Sequence, residues 1–117
     1  MKYKHFTEIP VWQKAHALTL KIYQITKKYP QEEKYRLVDQ TCRASSSIGS
    51  NIAEGSEKFS KKDKRNYLVT AKSSAIELEN HLLLARDLEY ITEEEFKILQ
   101  LEIYSISAQL GGWIKVL

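Results

Sequence analysis

Four runs of apolar residues recur at steps of three and four along the chain, and a helix-breaking signal separates each from the next. Val11, Ala15, Leu18, Ile22, Ile25 and Tyr29 form the first seam, opened by Pro10 and stopped by Pro30. Leu37, Thr41, Ala44, Ile48 and Ile52 continue with smaller members, after Gln31 to Glu33 place acidic residues at a helix start and before Gly55 as a natural terminator. The third seam is Leu68, Ala71, Ala75, Leu78, Leu82 and Ala85, preceded by Ser60 and Asp63 in the positions of a capping box. Thr92 with Glu95 makes a full capping box for the fourth, which runs through Phe96, Leu99, Ile103, Ile106, Leu110 and Trp113. Gly111 and Gly112 weaken its last turns, so fraying is expected there.

Helices over about 10–29, 32–56, 60–89 and 92–115 follow from these signals. Short connections make neighbours antiparallel, so the expected fold is all-α, an up-down-up-down four-helix bundle occupying 1–117 as one domain. Reflecting the second and third helices about a turn near residue 58 sets Arg43 within reach of Glu77, which predicts an ion pair partly withdrawn from water. Trp12, Tyr23, Tyr35, Leu83, Ile98, Leu101, Tyr104 and Ile114 fall off the seams. A bundle of this size cannot bury them all, so some are expected at a subunit interface.

The net charge of +3 hides an asymmetry: Met1 to Ile76 carries +8, and Glu77 to Leu117 carries −5. Such a division suits either a polyanion-binding face or complementarity between subunits. Cys42, the one cysteine, excludes an internal disulfide and fits a reducing compartment. The N-terminal MKYKHFTEIP lacks the apolar core of a signal peptide, and no apolar run approaches a membrane span. A soluble, cytoplasmic protein without membrane contact is the expectation.

The densest basic cluster is Lys58, Lys61, Lys62, Lys64 and Arg65, with Phe59 and Tyr67 beside it as candidate base-stacking aromatics. Lys61 and Lys62 oppose the helix dipole, and free N–H groups ringed by cations form a site for phosphate. The same residues also read as a solvated basic surface. Lys2, Tyr3 and Lys4 add a weaker patch at a terminus. On the second helix, Arg36, Gln40, Arg43, Ser47, Asn51 and Glu54 form a polar stripe. It suits a register-fixing network or an assembly interface better than a catalytic cleft. Ser45, Ser46 and Ser47 have no histidine nearby in sequence to activate them. His5, His16 and His81 lie on separate segments, and Glu77 to His81 is spaced at four rather than the three of a carboxylate-bridged bundle site, so no metal site is assigned. No cofactor is implied either.

The chain resembles the 23S ribosomal RNA intervening-sequence protein family of bacterial four-helix-bundle proteins. The likeness rests on VWQKA at Val11 to Ala15, Gln40, Arg43-Ala44-Ser45-Ser46-Ser47-Ile48, Asn51-Ile52-Ala53-Glu54-Gly55, and Leu68, Ala71, Ser74 and Glu77. Ser73 departs, standing where many relatives carry glycine, which implies looser packing at that position. The resemblance implies structural or interface roles for Arg43, Ser47, Asn51, Glu54, Gly55, Ser74 and Glu77, and no enzymatic activity. Relatives include accessory proteins of diversity-generating retroelements, which assemble as ring-shaped homopentamers and associate with nucleic acid and a reverse transcriptase. By that likeness the expected partners are other copies of the chain, RNA or DNA, with RNA preferred, or a partner protein. The alternative is a scaffold whose basic and acidic faces serve assembly alone.

Overall fold

The structure, a computed structural model, describes residues 3–117. It contains four helices, α1 (Pro10–Thr26), α2 (Leu37–Ser56), α3 (Lys61–Asp87) and α4 (Glu93–Lys115), with short 3₁₀ turns at Phe6–Glu8 and Gln31–Glu33. No strand occurs among the described residues. Pro10 occupies the first turn of α1, where a missing N–H costs nothing.

The second helix starts at Leu37, later than its acidic residues suggest. Gln31–Glu33 is a separate turn, and Arg36 breaks the chain with φ −120° and ψ −101°. Within that turn the Glu33 carboxylate accepts from the Tyr90 hydroxyl at 2.8 Å. The first helix likewise stops at Thr26, and Lys28 and Tyr29 continue only as tight turns ahead of Pro30. Gly111 and Gly112 do not end α4, which stays helical to Lys115.

The seam residues meet in one core. Leu18, Ile22, Ile48, Ile52, Leu68, Leu78, Leu82, Phe96, Ile103, Ile106 and Leu110 are fully buried. Each such large side chain contributes about 1.5–3 kcal/mol of hydrophobic stabilisation. Ile25 and Trp113, at the seam ends, are half-buried. The backbones of α1 and α3 each run close to both α2 and α4, while those of the diagonal pairs stay farther apart among the described residues, so the helices pack as a square.

Contacts between neighbours run in opposite numerical order. On α1 and α2, Trp12 meets Gly49, Thr19 meets Ser45 and Thr26 meets Cys42. On α2 and α3, Gly55 meets Tyr67 and Ser47 meets Ser74. Glu79 accepts from Gln100 and Tyr104, and Arg86 pairs with Glu93, between α3 and α4. α1 and the turn that follows it are bridged to α4 by Lys14–Ser105, Lys21–Glu102 and Lys28–Glu95.

α2 and α3 make the largest of these contacts, because both present small residues. Ala44, Ser45, Ala71, Ser74 and Ala75 are all buried there or in the adjoining core. Ser73 is exposed, so its departure from glycine does not loosen the packing as the resemblance implied. No helix among the described residues is long and apolar enough to cross a membrane.

Candidate functional site

Glu57 to Ser60 join α2 to α3, and the basic cluster runs from Lys58 in this turn into the first turns of α3. The floor of this turn is tightly built. Gly55 is buried and helical, and a Cβ there would stand 2.9 Å from Tyr67 Cβ. Gly55 is thus no left-handed terminator: no glycine has positive φ, and α2 ends one residue later at Ser56. Its missing side chain is what lets α3 approach. The Lys64 ammonium donates to the Ser56 carbonyl at 3.0 Å, capping α2 with a cation where the dipole favours one. Lys58 holds its ammonium 5.1 Å from the centre of the Tyr67 ring, a cation–π contact.

The N-terminus of α3 is capped by Ser60, whose hydroxyl accepts from the Asp63 N–H at 3.0 Å. Asp63 is a methylene shorter than the Glu of a full box and does not return the bond; Thr92 and Glu95 make both halves. Beyond the cap, Lys61, Lys62 and Arg65 are exposed and make no ion pair among the described residues. Their spacing of three and four sets them on one side of the helix. Phe59, at the tip, is fully exposed. The five basic residues of the cluster therefore divide: Lys58 and Lys64 serve the turn itself, and Lys61, Lys62 and Arg65 face solvent.

The polar stripe of α2 also divides. Asn51 Nδ2 donates to the Ser47 carbonyl at 2.8 Å and to its Oγ at 3.0 Å. Ser47 and Ser74 hydroxyls lie 2.9 Å apart, and Ser74 donates to the Thr70 carbonyl at 3.1 Å. With the Ser74 proton spent on Thr70, Ser47 is the donor between the two, and the chain of bonds is satisfied throughout. This network locks α2 to α3, as Thr19 and Ser45 at 2.9 Å link α1 to α2. Arg43, Glu54 and Glu77 stand outside it. The expected Arg43–Glu77 pair does not form. Arg43 is 80% exposed and pairs at 3.2 Å with Asp39, whereas Glu77 is 59% exposed and meets His81 at 3.4 Å. Partners one turn away in the same helix need less ordering than a reach across to the next.

Next to the basic turn lies an open apolar cleft of about 580 Å³, bounded by Tyr3, Ile9, Val11 and Trp113, with Lys64 at its margin. Lys4 is exposed nearby in sequence, and Lys2 lies outside the described residues. His16 stacks on Trp12 with ring centres 4.7 Å apart, and His5 caps the first 3₁₀ turn. No group of three metal-ligating side chains gathers among the described residues.

The opposite end carries several paired acids, alongside Lys27, Lys34 and Arg36, which are exposed and in no ion pair among the described residues. Lys28 binds Glu95 at 2.7 Å, and Arg86 pairs with Asp87 and Glu93 and lies over the Phe96 ring. Lys28 and the Thr92 cap hold the Glu95 carboxyl below its usual range. The Glu33 carboxylate beside Tyr90 raises the phenol. Tyr29 is the exception: its hydroxyl is buried without a hydrogen-bond partner, and burial pushes its pKa up to about 12.

Sequence alone did not separate Phe59 from Tyr67, nor Lys64 from its neighbours. The one local hint was position: Lys64 lies eight residues beyond Ser56, across the turn from the end of α2.

The family model of the 23S rRNA-intervening sequence protein matches residues 7–112. The chain belongs to this family. A crystal structure of a protein of unknown function from the S23 ribosomal protein family of Bacteroides thetaiotaomicron is also similar. The two share 31% sequence identity and a TM-score of 0.83, over 90% of this chain and 98% of that one. No curated protein matches. The family match spans the polar lock, Gly55 and the basic turn alike.

Proposed function

We propose that this 23S rRNA-intervening sequence family protein is an oligomeric, non-catalytic nucleic-acid-associated protein that grips phosphate backbone with the α2–α3 turn. The observation that carries the reading is the exposed trio Lys61, Lys62 and Arg65, left without acidic partners on one side of a helix. RNA is preferred as the polymer because of the family to which the chain belongs. The contacts are electrostatic and directed at the backbone, since no recognition-helix motif accompanies them. The polar stripe serves register: its bonded members are engaged with each other rather than aimed into a cleft.

The frame beneath this reading is an antiparallel up-down-up-down bundle, supported by the opposite order of contacts between neighbouring helices. Self-association is supported by apolar side chains left outside the core, with Tyr23, Ile98, Leu101 and Tyr104 each at least half exposed. Five is the subunit number the resemblance implies. A single free cysteine suits a cytoplasmic setting. These same apolar residues favour a second reading, a protein-interaction scaffold that binds no nucleic acid.

A salt titration of binding to structured RNA and duplex DNA, with mass in solution measured on the same sample, tests the proposal. Logarithmic affinity is expected to fall linearly with logarithmic salt, by roughly 0.7–0.9 for each phosphate contacted. Changing Lys61, Lys62 and Arg65 to Glu removes that dependence. A large particle that binds neither polymer at low salt supports the scaffold instead.

A further inference from the structure

The two aromatic residues beside the basic run have opposite fates. Tyr67 is half-buried, its Cβ packed where Gly55 approaches and its ring covered by Lys58. Phe59 is fully exposed, three residues or fewer from Lys58, Lys61 and Lys62. A phenyl ring in that position adds nothing to the core, and water penalises it. Its two faces are open, and every nearby charge except Glu57 and Asp63 is positive.

We propose that Phe59 is a stacking platform for an unpaired base, so that the turn takes single-stranded nucleic acid in preference to duplex. This rests on the phosphate-binding reading above and deepens it. Single strands offer both elements the turn presents complements for: a charged backbone and the π-face of a base not already stacked. In a duplex the base faces are covered by their neighbours, and Phe59 gains nothing without unstacking them. The same cations disfavour a second copy of this turn as the occupant, because like charges would be brought together.

The test compares a short homopolymer RNA with a duplex of equal length, by fluorescence anisotropy, for the full chain and three variants. Phe59→Ala is expected to lose roughly 5- to 150-fold in affinity for the single strand, the range of one base stack. Its duplex affinity and its salt slope stay unchanged, and Phe59→Tyr retains the preference. Lys61→Glu/Lys62→Glu weakens both polymers and flattens the slope. Circular dichroism checks that each variant is folded, as an exposed tip residue should allow. If Phe59→Ala binds the single strand as the parent does while the lysine variant fails, the stacking inference falls and the phosphate reading stands. If the parent binds neither polymer, both fall. A change in particle mass on Phe59→Ala assigns the ring to a subunit contact and overturns the inference.

Discussion

The two ends of the molecule spend their charges differently. At the acidic end, Lys28, Arg86, Glu33, Glu93 and Glu95 are engaged in ion pairs, a capping box or the Tyr90 hydrogen bond. The α3–α4 connection is closed by a Schellman arrangement, with Tyr90 N–H on the Ala85 carbonyl at 2.8 Å and Glu89 N–H on Arg86 at 2.9 Å. At the basic end, Lys64 and Lys58 are held by the turn, but Lys61, Lys62, Arg65 and Phe59 are not. Charges that pair within the chain explain themselves as structure. Charges set against a helix dipole with no partner do not.

The largest effect expected from this contrast lies beneath the basic turn. Gly55→Ala should lose about 1–3 kcal/mol in chemical denaturation, because its Cβ meets Tyr67 at 2.9 Å. Gly112→Ala, with nothing within 4 Å, should gain about 0.5–1 kcal/mol from helix propensity. Equal signs for the two would break the claim that the turn sits on a rigid floor.

At the acidic end, Thr92→Ala should cost about 1 kcal/mol at neutral pH by removing the cap on Glu95. The Glu95 carboxyl is held below its usual range, chiefly by Lys28, so its contribution is fully present above the ordinary carboxylate pKa. It is lost as pH falls through the folded pKa, so a pH series of melting curves should show the parent's advantage over Glu95→Gln shrinking in acid, whereas the Thr92→Ala deficit, the loss of a neutral hydroxyl, persists. A parent advantage over Glu95→Gln that is independent of pH would mean the Glu95 carboxylate contacts do not stabilise this end.

Glu89 is the one non-glycine residue with positive φ among those described, at 65°. Glu89→Gly removes that strain and an acid from a helix C-terminus, and should raise stability by about 0.5–1 kcal/mol. No gain would show that its neighbours relieve the strain already.

The smallest change sharpens the comparison most. Lys61→Glu/Lys62→Glu places acids at the N-terminus of α3 and should stabilise the fold by roughly 0.3–1 kcal/mol while polyanion binding is lost. A destabilised variant would make those lysines structural and erase the difference between the ends.

Much of this was legible in advance. The apolar seams supply most of the core, apart from the half-buried Ile25 and Trp113, and the connecting residues Ile9 and Ile91, which no seam contained, complete it. Thr92 and Glu95 cap α4 as their spacing requires. Less was legible where a partner in another segment competes. Gln31–Glu33 has good helix-start chemistry, yet it forms a separate turn whose Glu33 bonds Tyr90, and the helix begins at Leu37. Arg43 and Glu77 have suitable positions on facing helices, yet each finds a partner one turn away.

What the sequence by itself determined, then, was the helical segments and the face each turns inward. Periodicity, proline stops and caps act over a few residues, within reach of local physics. The tertiary structure alone decided that Gly55 is a contact point rather than a terminator, that Lys64 closes α2, and that Phe59 and not Tyr67 stands free. Each of those outcomes depends on how closely two helices approach, a distance set by small side chains on both at once.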